Sequence, residues 1–144
     1  MKELVGVSLY TLWLVTASVQ DVKYRSISGK MMLIGGGIAL QHSVYQCLGG
    51  HSVWQMILGL LPGVAFLVLG YVTRCVGSAD GMVLMLVGFY MGWKRCLWIW
   101  LLSLFLIGIW AMLYLVWKRG CSKRRLPYIP FLTLAWLVCL ISEG

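Results

Sequence analysis

The sequence predicts an all-α fold, a polytopic membrane bundle of six transmembrane helices with both termini outside. Three observations predict it. Hydrophobic residues make up 61% of the 144 and charged residues only 11%, where soluble domains carry about 45–50% and about 25%. Mean hydropathy is +0.89, too high for a particle that must cover itself with polar surface. The apolar residues also gather into six runs that match, or nearly match, the ~20 residues a helix needs to cross a bilayer. Strands do not fit: lipid leaves no partner for an open backbone, and these runs lack the alternation of a membrane barrel. Connections between the runs are tight, so residues 1–144 read as one membrane-embedded domain.

The first run, Leu4–Gln20, follows Lys2 and has no small-x-small cleavage site before the next charges, so it reads as a retained span rather than a leader. The second, Met31–Cys47, carries Gly35, Gly36 and Gly37, which open a flat face for a neighbour. The third, Val53–Val72, holds Gly59-x-x-x-Gly63 and Pro62. Pro62 lacks a backbone N–H and should kink the helix. The fourth, Gly81–Trp93, is short and carries Gly88-x-x-x-Gly92; the fifth is Leu97–Trp117; the sixth, Pro127–Ile141, is marginal in length. The short runs borrow a turn from their flanks.

Twelve Lys and Arg against four Asp and Glu give a net charge of +8. Such a balance in a soluble protein suggests nucleic acid, but here the cations sit in small clusters between apolar runs, where they meet anionic headgroups. No nucleic-acid partner is expected; the lipid bilayer is. Lys23, Arg25, Lys30, Arg74, Lys118, Arg119, Lys123, Arg124 and Arg125 follow the odd-numbered spans, whereas Lys2, Lys94 and Arg95 fall on the other side. The excess of positive charge inside puts the odd-numbered loops in the cytoplasm. Cys47, Cys75, Cys96, Cys121 and Cys139 form no CxxC and no metal-ligand spacing, so they read as packing residues. His42 and His51 fall near an outer loop and read as solvated.

The acids are the informative residues. Glu3 and Glu143 lie at the extreme termini; Asp21 and Asp80 lie at the ends of spans one and four that face the cytoplasm. An ionisable group at this depth is costly and points to function. Two carboxyls that meet cannot both ionise, so they share a proton. One then acts as base on water while the other, protonated, polarises a carbonyl. Each aspartate also has a plainer reading: Asp21 as a loop acid paired with Lys23 or Arg25, and Asp80 as the N-cap of span four.

The segment Asp21-Val22-Lys23-Tyr24-Arg25-Ser26-Ile27 after span one, Gly77-Ser78-Ala79-Asp80 opening span four, and Leu126-Pro127-Tyr128-Ile129-Pro130-Phe131 opening span six together resemble the type IV prepilin peptidase family. These are membrane aspartyl proteases of the GxGD type, and the likeness is to the compact form without an added cytoplasmic domain. It extends over essentially the whole chain. The departures are Ser28-Gly29 in place of Pro-Asn, Ala79 for the second glycine and Met82 for a lysine. The resemblance implies an aspartic endopeptidase in the cell (inner) membrane, with Asp21 and Asp80 catalytic and its active site facing the cytoplasm. The implied substrate is a pilin-like precursor with a short basic leader, cut where its apolar helix leaves the bilayer. Arg25, Gly77, Ser78 and Ala79 are the weaker candidates for positioning that substrate. Relatives that also N-methylate the new terminus use S-adenosylmethionine and carry an extra cytoplasmic region with cysteines, so no cofactor and no metal is expected here. Two rivals use the same aspartates differently: a non-enzymatic membrane module (transporter subunit or assembly factor), and a small proton-coupled carrier. Oligomeric state is not encoded in any of these features.

Overall fold

The computed structural model describes residues 2–24, 26–50, 52–73, 77–117 and 127–143. Among them the chain is helical throughout: α1 (Lys2–Tyr24), α2 (Gly29–Leu48), α3 (Val53–Gly59), α4 (Leu61–Thr73), α5 (Ser78–Met91), α6 (Trp93–Trp117) and α7 (Ile129–Glu143). By length and composition, Leu4–Tyr24, Val53–Val72 and Trp93–Trp117 suffice to cross a membrane, while Ser78–Met91 and Ile129–Ser142 are shorter apolar helices. Large apolar side chains face outward on every long helix, among them Leu12, Leu33, Val68, Trp98, Phe105 and Leu115. Water would not tolerate so much contiguous apolar surface.

The break between α3 and α4 falls where Pro62 was expected to kink the third run. The Leu60 N–H bonds back to the Ile57 carbonyl in a tightened turn, and α4 resumes with Val64 donating to Leu60. Other boundaries extend past the apolar runs. Helix α1 continues through Asp21 to Tyr24, so Asp21 is helical rather than the start of a loop. Helix α6 begins at Trp93 and takes in Lys94 and Arg95. A single residue, Gly92, separates α5 from α6, and its φ of 81° is one that L side chains rarely adopt.

Helix α5 is the hub, packed on α2, α3, α4 and α6, while α7 lies between α1 and α6. Glycine makes the closest approaches. A Cβ on Gly59 would strike the Gly88 carbonyl, and one on Gly88 would strike that of Gly59; Gly63 is filled by Met85, and Gly81 by Leu67. Trp13 occupies the space over Gly35, whereas nothing lies near Gly37, so only part of that glycine run is a packing face. The core joins Tyr10 and Leu14 of α1 to Val83, Leu84 and Val87 of α5, Ile99 of α6, and Leu132 and Trp136 of α7. Hydrogen bonds pin the helices crosswise: Trp136 Nε1 donates to Thr11 Oγ1 at 3.0 Å, and Trp13 Nε1 to the Met31 carbonyl at 2.8 Å. His42 is not simply solvated: half-buried, it stacks on Tyr90 at 4.1 Å. His51 lies outside the described residues.

Because the α3–α5 seam has no room for a methyl group, Gly88→Ala should destabilise the bundle by about 1–3 kcal/mol. Gly37→Ala should be neutral, or stabilising by about 0.4–1 kcal/mol. Unfolding in mixed micelles of increasing denaturing detergent measures both.

Candidate active site

The end of α1 and the beginnings of α5 and α7 meet at one end of the bundle. Asp21 is only 7% exposed, although Val22, Lys23 and Tyr24 beside it are exposed. Its carboxylate accepts the N–H of Ile129, the first residue of α7. A helix N-terminus offers such unpaired donors and a partial positive charge, which suits an anion. The other carboxylate oxygen, Asp21 Oδ2, is buried without a hydrogen-bond partner among the described residues, an unusual state for a native polar atom. Lys23 does not claim it: the ammonium sits over the Tyr24 ring, 5.3 Å from its centroid.

Asp80 is the third residue of α5 and not its N-cap. Gly77 takes that position with extended backbone at φ −70° and ψ 140°. The Asp80 side chain folds back to accept the Gly77 N–H, and a Cβ on Gly77 would lie 3.3 Å from Asp80 Oδ2. Asp80 stands just before the apolar run of its helix. Burial pushes its carboxyl up to about 7, the charge of Asp21 adds to the rise, and the Gly77 N–H opposes it. The two aspartates, 59 positions apart in the chain, are therefore electrostatic neighbours.

Of the other residues singled out in the sequence, Ala79 is half-buried and Ser78 exposed in the first turn of α5, and Arg25 lies outside the described residues. Met82 is 48% exposed, so no cation approaches Asp80 from that position. Among the described residues no three His, Cys, Asp or Glu side chains cluster as a metal-ligand set.

The structure adds residues that the sequence did not mark. Tyr128, 3% exposed, immediately precedes the Asp21-bound Ile129. Its ring packs on Phe66 of α4 at 4.8 Å, and its phenol lies within electrostatic reach of Asp80. The phenol is hydrogen-bonded to Ser103 Oγ of α6 at 2.6 Å. Ser103 carries the only hydroxyl in the apolar stretch from Trp93 to Leu113, a signal that was available. The site is thus two carboxyls, each accepting a helix-start N–H, and Tyr128 next to Ile129 belongs to an aromatic group with Phe66 and Trp100.

The family model described as the type IV leader peptidase family matches residues 8–112. No curated protein and no solved structure matches the chain significantly.

A carboxyl whose proton affinity rises on folding stabilises the fold below its unfolded value near 4, and that stabilisation is lost as pH climbs to the folded value. With Asp80 at about 7, thermal stability in detergent should fall between about pH 4 and pH 7, and Asp80→Asn should make that fall shallower. A decline equally steep in the variant would contradict the placement of Asp80.

Proposed function

Since the chain belongs to the type IV leader peptidase family, we propose that it is a membrane aspartic endopeptidase removing the leader of pilin-like precursors, with Asp21 and Asp80 as its catalytic pair. The observation that carries this reading is the electrostatic proximity of the two carboxyls, with Asp21 Oδ2 lacking a hydrogen-bond partner among the described residues and Asp80 held toward its protonated form. In this reading all six apolar runs cross the bilayer, α3 and α4 forming one broken span. The distribution of basic residues puts the aspartates at the cytoplasmic face of the inner membrane.

The environments divide the labour. Asp21, whose carboxylate accepts the N–H at the start of α7, serves as the general base; Asp80, raised by burial and by a second carboxyl beside it, holds the proton. Asp21 takes a proton from water as its oxygen attacks the scissile carbonyl carbon. Asp80 gives its proton to the carbonyl oxygen, and a tetrahedral diol forms. In the second step a diol hydroxyl returns a proton to Asp80, Asp21 protonates the leaving nitrogen, and the C–N bond breaks. The pair ends as it began. The substrate bond must first be freed from its helix, because a helical amide is already hydrogen-bonded and shielded. A site where spans meet the cytoplasmic interface receives the precursor just where its apolar helix ends. The family indicates proteolysis, which weighs against both the assembly-factor and carrier readings.

Asp21→Asn and Asp80→Asn should each abolish cleavage of a co-expressed prepilin-type precursor, lowering the rate by about 10²–10⁴ or more. Loss of a helix-end contact alone costs only about 0.5–2 kcal/mol, so both variants should still accumulate in membranes. Immunoblots of precursor and product read the outcome; parental processing by either variant would defeat the proposal.

A further inference from the structure

A groove of about 390 Å³ lies between α6 and α7, at the end of the bundle away from the aspartates. Arg95, Trp98, Ile99 and Leu102 line it from α6; Ala135, Val138, Cys139 and Ser142 line it from α7. Each set follows the i, i+3, i+4, i+7 spacing of a single helix face. Ser103, farther along α6, meets Tyr128 just before α7, so the two helices run antiparallel. Arg95 and Ser142 therefore share one end of the groove, and Leu102 and Ala135 the other. Fully buried Ile99 and Ala135 form its floor, and exposed Trp98 and Val138 its rims. Ala135, Cys139 and Ser142 have short side chains, which keeps the space between the helices open.

The groove changes character along its length. Arg95 and Ser142 are polar and exposed, whereas Leu102 and Ala135 are apolar. Seven residues of helix separate the two ends, about 10 Å at ~1.5 Å per residue. Arg95 is the third residue of a 25-residue apolar helix long enough to cross a membrane, so the polar end sits at the lipid boundary and the rest in hydrocarbon. A phospholipid has the same order of polarity. Charge narrows the choice of headgroup. Lys94 and Arg95 stand together in the first turn of α6, which has no acid, and the helix start adds a partial positive charge. Among the described residues no carboxylate lines the groove. Arg95 has five N–H donors in a planar fork, enough to grip a phosphate while keeping another contact. A zwitterionic headgroup would bring its ammonium against the same two cations.

We propose that the α6–α7 groove is a binding site for a phospholipid with an anionic headgroup. The phosphate sits on Arg95 with Ser142 beside it, and an acyl chain runs past Trp98 and Cys139 to the floor at Ile99 and Ala135. This site uses neither aspartate and does not depend on the protease reading.

The test is native mass spectrometry of the whole protein in detergent, titrated with phosphatidylglycerol or with phosphatidylethanolamine. One phosphatidylglycerol per chain should persist at concentrations where phosphatidylethanolamine is stripped. Arg95→Gln should weaken phosphatidylglycerol binding roughly tenfold, the worth of one charge-assisted hydrogen bond. Lys30→Gln removes an equally exposed cation at the start of α2 and should leave it unchanged. Cys139→Phe fills the groove without altering charge and should also weaken binding. Equal retention of the two lipids by the parental protein, or equal effects of Arg95→Gln and Lys30→Gln, would overturn the proposal. So would masses of paired chains that Cys139→Phe separates, since a second copy would then occupy the groove.

Discussion

The hydrogen bond from the Ile129 N–H to the Asp21 carboxylate governs the architecture of this protein's candidate active site. A carboxylate at the edge of hydrocarbon needs a donor, and the first turn of a helix has donors to spare. Using one for the other joins α1 to α7, closes the bundle on itself, and turns Asp21 inward from a segment whose neighbours face out. Tyr128 follows from the same tie, because it adjoins the residue that makes it, and it reaches α6 through its hydrogen bond with Ser103. Helix α5 then has only to bring Asp80 to a partner already fixed.

Under the proposed two-aspartate reading, that arrangement gives the two acids unlike roles. Both rest against a backbone N–H, so hydrogen bonding alone does not separate them. Burial and the neighbouring negative charge raise Asp80, and only one proton is comfortable between the two.

The helices were legible because lipid-scale apolar runs leave little choice of backbone. Their limits were less so: hydropathy measures what lipid covers, whereas Gln20 to Tyr24 and Trp93 to Arg95 remain helical with no breaker among them. The kink at Pro62 followed from one missing N–H. Asp80 was harder to place, since an aspartate after glycine and serine suits an N-cap or a first-turn position equally, and backbone at Gly77 decides it. Asp21 and Asp80 stood out by their scarcity. Tyr128 and Ser103 did not, because their pairing joins positions 25 apart, a tertiary fact invisible to local pattern.

The one-residue link at Gly92 bears on how Asp80 travels. It lies twelve residues from Asp80, so α5 is a lever about 18 Å long at ~1.5 Å per residue. The seam with α3 holds that lever near its fulcrum, at Gly88, and α4 holds it again at Gly81, next to the carboxyl. A tilt of about 3° there carries Asp80 roughly 1 Å, a displacement comparable with the difference between a hydrogen bond and none. Because Leu67 fills the space at Gly81, any such swing of α5 must carry α4 along, and the spacing of the two acids answers to the pair of helices rather than to α5 alone.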